Sequence, residues 1–160
     1  MELQPRIEHL KEKKLIGKHL KMSLVENKTV ELWRNFMPRR KEITNKLTSD
    51  FISMQIYEET MNLNDMSQKF EKWAVTEVAN FDHVPDGMET FTLQSGLYAV
   101  FDYKGLSTDS QIFIYIYGTW LPNSAYLLDD RPHFEVLGDK YKNGDPNSEE
   151  EIWIPIKPKS

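Results

Sequence analysis

A single carboxylate stands in the middle of an apolar stretch late in the chain. In Pro132-His133-Phe134-Glu135-Val136-Leu137-Gly138, the apolar Phe134 and Val136 alternate with Glu135, which is typical of a β-strand. Burying a carboxylate is costly unless a cation or a hydrogen-bond donor meets it. The pattern therefore leaves two interpretations: a solvated strand residue, or an anion at the floor of an aromatic pocket that accepts a ligand.

Metal, thiol and cofactor chemistry have little support. The chain contains no cysteine, and His19, His83 and His133 lack the short spacings of metal-binding histidines. We find no phosphate-binding glycine loop, no dinucleotide fingerprint and no Ser-His-Asp arrangement. We therefore expect neither a metal ion nor a cofactor.

Catalysis would have to rely on Glu135. Apolar surroundings raise the pKa of a carboxyl group, so Glu135 could act as a general acid or base, assisted by Tyr57 or Tyr98. Nothing in the sequence requires this, and a hydrolase acting on an electrophilic small molecule is the alternative to a binding protein.

The composition indicates one globular domain. The chain has 160 residues, 39% of them hydrophobic, with four Trp, seven Tyr and eight Phe. The first residues do not resemble a signal peptide, and the longest apolar run, Ile112 to Tyr117, is too short to span a bilayer. We expect a cytoplasmic protein without a membrane partner.

Charge is distributed unevenly. Residues 1–50 contain twelve Lys and Arg against seven Asp and Glu, whereas residues 51–160 contain eight against eighteen. The acidic second part disfavours nucleic acid as a direct partner and suits cationic ligands. Arg39-Arg40-Lys41 is too short for a nucleic-acid patch and is interpreted as a solvated helix end.

Two further charged motifs are interpreted as structural. Glu149-Glu150-Glu151 is predicted to be the solvated start of a strand. Asp129-Asp130 precedes Arg131, which predicts a loop ion pair of little energetic weight.

The chain contains a weak internal repeat. A shift of 80 residues places Met54-Gln55-Ile56 on Phe134-Glu135-Val136, and Trp73 on Trp153. The segment Asp82 to Gly87, with its Asp, Pro and Gly, is the predicted linker between the two copies. We therefore interpret the chain as one domain of two pseudo-repeats, about 6–80 and 88–158.

The repeat also predicts the helices. A shift of 84 residues aligns Val30, Trp33, Phe36 and Pro38 with Ile114, Tyr117, Trp120 and Pro122. The first set has helical spacing from Thr29 onward, so its counterpart predicts a helix over Ile112–Trp120. The expected fold is α+β: two strand-helix-strand-strand units forming an antiparallel sheet, with both helices on one face and a ligand groove between the halves.

Strand alternation leads to a prediction about the site. If Phe134 and Val136 pack against the helices, Glu135 faces away from them. Trp153 lies between isoleucines that would take the helix side, so it would share the face of Glu135, and Trp73 would join it through the repeat. Aromatic walls around an anion suit a flat hydrophobic cation. The alternatives are that these tryptophans are simply buried, or that they form a dimer interface.

Several segments resemble the GyrI-like effector-binding domain of bacterial AraC-type and MerR-type multidrug regulators, which also occurs alone. The matching segments are Gly96-Leu97-Tyr98-Ala99-Val100-Phe101 with Gly105, Trp120-Leu121-Pro122, Pro132-His133-Phe134-Glu135-Val136 and Ile152-Trp153-Ile154-Pro155-Ile156. The resemblance implies a pocket between the halves for lipophilic, often cationic molecules, with Glu135 as the cation-binding carboxylate. In a few members, that carboxylate is implicated in hydrolysing strained cyclopropane compounds.

The chain departs from the family pattern in two respects. Leu137 stands where an aromatic residue is frequent, so that wall of the pocket is expected to differ. Residues 1–20 are too few and too strand-like for a helix-turn-helix domain, so we expect a stand-alone module.

The sequence thus predicts a sensor or sequestering protein for a hydrophobic or cationic small molecule. The expected ligand-binding residues are Glu135, Trp73, Trp120, Trp153, Tyr57, Gln55, Tyr98, Tyr117 and Trp33. A protein-binding role, as in the gyrase-inhibitor branch of the family, and a partnership with a regulator or a second copy stay open.

Overall fold

The fold was analysed in a computed structural model that describes residues 3–62, 64–107 and 109–160. The described residues form nine strands and two helical segments. The strands are β1 Arg6–Leu10, β2 Lys13–Met22, β3 Phe51–Tyr57, β4 Phe70–Val78, β5 Glu89–Leu93, β6 Gly96–Lys104, β7 Tyr126–Leu128, β8 His133–Leu137 and β9 Glu149–Pro158. The first helical segment (residues 29–42) comprises α1 Thr29–Phe36 and a 3₁₀ turn Met37–Glu42. The second (residues 111–123) comprises α2 Gln111–Tyr115, a π-helical turn Ile116–Trp120 and α3 Leu121–Asn123.

All strand pairs are antiparallel. The sheet order is β1-β6-β9-β8-β3-β4-β2-β5, and β7 pairs with the last residues of β9. From the central pair β3–β8 outward, β4 and β2 on one side correspond to β9 and β6 on the other. Each half therefore supplies a strand, a helical segment and two strands, as predicted for this α+β fold.

The edge strands cross over between the halves. β1 pairs with β6, and β5 pairs with β2, although only two residues separate β1 from β2 along the chain. The sheet must therefore curl until its two edges approach each other. Gly17 permits close contact within the curl, since a side chain there would collide with the backbone of Ala74.

Both helical segments cover the convex face of the sheet. Leu32 and Phe36, four residues apart, pack on Ile16 and Ala74, and Ile112 and Ile116 pack on the isoleucines of β9. We call this the helix side. In the part of the chain that the structure describes, no helix is long and apolar enough to cross a membrane.

The opposite, concave face closes on itself into a second apolar core. Leu10, Leu15, Met54, Trp73, Val75, Leu93, Tyr98, Val100, Phe134 and Trp153 are buried there. We call this the closed core. Both faces of the sheet are thus largely buried. This explains why successive residues of its strands are often both apolar, one on the helix side and the next in the closed core.

Candidate functional site

The register of β8 places Glu135 on the helix side. Phe134 lies opposite Trp153 and opposite Met54, and all three belong to the closed core. The next residue, Glu135, lies opposite Ser53 and Ile152, whose side chains face the helical segments. The prediction that Glu135 faces away from the helices was therefore wrong. Within β8, alternation correctly separated Phe134 and Val136 from Glu135, but Phe134 and Val136 pack in the closed core and not under the helices. In β9 the isoleucines lie on the helix side and Trp153 on the other, as predicted, so Trp153 does not share the face of Glu135.

α1 contacts β2 and β4, and the second helical segment packs on β6 and β9, so the central strand pair β3–β8 lies between the two helical segments. We call the space above this pair the groove. Its floor consists of helix-side residues of β3 and β8: Ser53, Gln55, Tyr57, His133 and Glu135. Glu135 keeps part of its surface exposed, as expected for a group that lines a groove rather than a sealed core.

Aromatic side chains form the walls of this groove. Trp33 of α1 packs edge-on against Phe51 at the end of β3, with ring centroids 6.3 Å apart. On the other side, the Tyr117 hydroxyl lies 3.0 Å from His133 Nδ1. Tyr57 contacts the same histidine edge-on at 5.3 Å. The arrangement presents aromatic faces to a space that contains a carboxyl group.

Three ionisable side chains meet at the floor of the groove. The carboxyl groups of Glu135 and Glu150 are within hydrogen-bonding reach of each other, and the Lys72 ammonium attracts both. Lys72 Nζ also donates a hydrogen bond to Thr29 Oγ1 at 3.2 Å, which ties it to the start of α1. Glu150, at the start of β9, is only 8% exposed.

Burial shifts the pKa of each of these groups. It raises the pKa of Glu135 above its ordinary value, and the charge of Lys72 opposes the rise. The pKa of Glu150 is raised by burial and by repulsion from Glu135. Burial lowers the pKa of Lys72, against the attraction of both carboxyl groups. The two carboxyl groups therefore hold a proton at pH values where isolated carboxyl groups are ionised.

The neighbouring aromatic groups stay neutral around pH 7. Burial and the Glu135 charge raise the pKa of Tyr57 to about 12. Burial raises the pKa of Tyr117 well above its ordinary value. Burial, followed by the charge of Arg131, lowers the pKa of His133 to about 4. The groove thus has uncharged aromatic walls, and its ionisable groups are Glu135, Glu150 and Lys72, which we call the charged centre.

The structure separates the predicted site residues into two sets. Trp33, Gln55, Tyr57 and Tyr117 lie at the groove with Glu135.

The other four predicted residues lie elsewhere. Trp73, Tyr98 and Trp153 are in the closed core, on the far side of the sheet from the groove. Trp120 packs edge-on against Phe101, 5.2 Å away, beneath the outer side of the second helical segment. Its counterpart position in the repeat, Phe36, is fully buried, and Trp120 packs partly buried against the same kind of core, so the aromatic spacing of Trp120 indicated core packing.

Sequence reasoning missed Glu150 and Lys72. Glu150 was predicted to be solvated, but it shares the face of Ile152 and Ile154, and this alternation could have placed it on the helix side. Lys72 precedes the buried Trp73 and Ala74, so the same reasoning marks it as a charged residue in a buried strand.

Arg131 forms the predicted loop ion pair and does more. Its Nε donates to Asp129 Oδ2 at 2.7 Å, and its guanidinium also donates to the carbonyls of Leu97 and Ile156. The guanidinium carbon lies 4.8 Å from the centre of the Tyr98 ring, a cation–π contact. Arg131 therefore anchors the loop before β8 to β6 and β9.

The fold is that of a GyrI-like effector-binding domain. The chain belongs to the family "Cass2: Integron-associated effector binding protein", whose model matches residues 6–156.

Individual relatives agree with this assignment. The transcriptional regulator BrlR of Pseudomonas aeruginosa is 30% identical over 128 residues, which cover 79% of this chain but only 45% of the regulator. An integron cassette protein from the mobile metagenome of Vibrio cholerae has a similar structure, with a TM-score of 0.68 and 15% identity over 96% of both chains. SAV2435, solved bound to tetraphenylphosphonium, matches with a TM-score of 0.70 and 17% identity over 97% of this chain and 94% of that one.

Proposed function

We propose that this protein binds lipophilic cations in the groove between its two helical segments and acts as a sensor or sequestering protein for them. The observation that carries the proposal is the Glu135 carboxyl group, partly buried near Tyr57 and Tyr117 at the seam of β3 and β8. A carboxylate among aromatic faces attracts a cation electrostatically, while the rings bury its apolar surface.

The shape of the groove favours a bulky or flat cation over a small ion. Tyr57 of β3 and Tyr117 of the second helical segment both contact His133 on the groove floor, and Trp33 of α1 packs on Phe51 at the end of β3, so a ligand with several apolar groups can contact aromatic side chains from both sides. A strongly hydrated inorganic ion would gain little from such walls. The tetraphenylphosphonium bound by the structural relative SAV2435 has this chemistry and is a suitable probe.

The test is a calorimetric titration of the protein with tetraphenylphosphonium. Glu135→Gln keeps the shape of the side chain but removes its charge, and we expect it to weaken binding by about 2 kcal/mol or more, roughly 30-fold. Glu31→Gln is the matched control, because Glu31 is exposed on α1 and its substitution removes the same charge from a solvated position. Equal affinities in the two variants, or no binding by the unmodified protein, would overturn the proposal.

A hydrolase is the second candidate, and one observation favours it. Two carboxyl groups that share a proton can serve as general acid and general base at neutral pH. Turnover of an electrophilic small molecule by the unmodified protein, abolished in Glu135→Gln, would favour this role over binding alone.

A further inference from the structure

The charged centre of the groove has an oxygen atom without a partner. Glu150 Oε2 is buried and accepts no hydrogen bond from the residues that the structure describes. Its carboxyl group lies within hydrogen-bonding reach of that of Glu135. Two ionised carboxylates at this distance would repel each other and leave that oxygen unsatisfied, whereas a proton held between them removes both penalties.

The charges then balance without a ligand. Lys72 contributes one positive charge, and the two carboxyl groups with their shared proton contribute one negative charge. A cation that enters this state meets a centre with no net charge and gains little Coulomb energy. A cation that enters after the proton has left meets one uncompensated negative charge, which matches a monovalent ligand.

Apart from Lys72, the titratable groups near Glu135 and Glu150 cannot supply the released proton at neutral pH. Tyr57 of β3, Tyr117 of the second helical segment and Tyr141 of the loop before β9 sense the charge of Glu135, and Tyr103 of β6 senses that of Glu150. His133 lies two residues before Glu135 on the same face of β8. The pKa of each tyrosine is raised, and that of His133 is lowered to about 4, so all of them stay neutral. Lys72 is the one competing source among these residues.

We propose that Glu150 is the second anion of the cation site, and that a lipophilic cation enters the groove in exchange for the proton that Glu135 and Glu150 share. The carboxyl O–H bond breaks, the proton passes to the solvent, and no other bond changes. The complex then holds two carboxylates, the Lys72 ammonium and the ligand cation, with no net charge. This inference rests on the proposed function and assigns the site to monovalent lipophilic cations.

Proton exchange makes the affinity depend on pH in a defined direction. While the pair holds its proton, each ligand bound releases about one proton, so the affinity rises about tenfold per pH unit. Once the pair has lost its proton in the free protein, the affinity no longer changes with pH. In Glu150→Gln, the affinity is expected to be nearly independent of pH and to fall below that of the unmodified protein as the pH rises.

The test is calorimetric titration with tetraphenylphosphonium in two buffers of different ionisation enthalpy, which counts the protons released. We expect about one proton per ligand in the unmodified protein and none in Glu150→Gln. Binding without proton release would overturn the exchange but leave the proposed function intact. Release that persists in Glu150→Gln and disappears in Lys72→Gln would assign the proton to Lys72 and likewise overturn it.

A second measurement needs no ligand. Infrared difference spectra between the unmodified protein and Glu150→Gln at neutral pH should contain the carbonyl stretch of a protonated carboxyl group. Glu149→Gln, a neighbouring carboxylate at the same strand start, is the control and should leave that band in place. Absence of the band from the unmodified protein would overturn the shared proton, whatever the outcome of the titrations.

Discussion

Phe134 of β8 lies directly opposite Trp153 of β9, and their rings stack with centroids 5.1 Å apart in the closed core. This pair fixes the orientation of β8. Since neighbouring residues of a strand point to opposite faces, Glu135 must lie under the helical segments. The position of the candidate cation site therefore follows from an apolar contact on the other side of the sheet.

The stack predicts a large effect on stability. Trp153 is 8% exposed and contacts Phe134 and Tyr98, so we expect Trp153→Ala to lower the free energy of unfolding by about 3–5 kcal/mol. Trp33→Ala should cost less, because Trp33 is only partly buried. Urea unfolding of both variants makes the comparison. A larger loss in Trp33→Ala would contradict the assignment of Trp153 to the core.

Ligand binding should depend on Trp33 and not on Trp120. Trp33→Ala removes one wall of the groove and is expected to weaken tetraphenylphosphonium binding about tenfold, since a buried cation–π contact contributes about 1–2 kcal/mol. Trp120→Ala is the comparison, because Trp120 packs on Phe101 away from the groove. Calorimetry at a temperature where both variants stay folded measures the two affinities. Weaker binding by Trp120→Ala would place the ligand elsewhere.

Much of the fold could be predicted from sequence patterns. The repeat of Trp33 and Tyr117 indicated two helical segments, and the resemblance around Phe134-Glu135-Val136 pointed to the carboxylate that lies in the groove.

The sequence patterns could not predict on which face of the sheet Glu135 lies. Alternation shows that Glu135 and Trp153 each point to the opposite face of the sheet from their chain neighbours. It does not show which face the helices cover, because the helices bury one face and the curl of the sheet buries the other. The curl depends on β1 pairing with β6 and β5 with β2, contacts between distant segments that leave no local pattern. Glu150 of β9 and Glu135 of β8 likewise come together only in the folded sheet. No local sequence pattern links them, so each glutamate alone resembles an ordinary strand residue.

His133 should make the protein less stable in acid. Its pKa is about 4 in the folded state against 6.5 ordinarily, so the unfolded chain binds a proton first as the pH falls. Stability from this group is present above about pH 6.5 and is lost progressively toward pH 4, by about 3 kcal/mol in total.

His133→Gln provides the check, because glutamine can still bond to the Tyr117 hydroxyl but does not titrate. Urea unfolding at a series of pH values should show that the difference in stability between the two proteins changes in this range. A constant difference would contradict a buried neutral His133, and carboxyl groups common to both proteins cancel in the comparison.

Lys72 is expected to oppose cation binding. Its ammonium already attracts Glu135 and Glu150, so Lys72→Gln removes a competitor and should strengthen tetraphenylphosphonium binding by about tenfold. Lys41→Gln, an exposed cation beyond α1, controls for the change in net charge. Affinity that falls in Lys72→Gln would show that Lys72 supports the site instead.

The location of the ligand is the central claim, and tetraphenylarsonium tests it most directly. It has the same shape and charge as tetraphenylphosphonium, and arsenic gives an anomalous diffraction signal that marks its position in a crystal. We expect one peak between the helical segments, beside Glu135, Trp33 and Tyr117. A peak at the closed core near Trp73 and Trp153, or binding in solution that leaves the groove empty in the crystal, would contradict it.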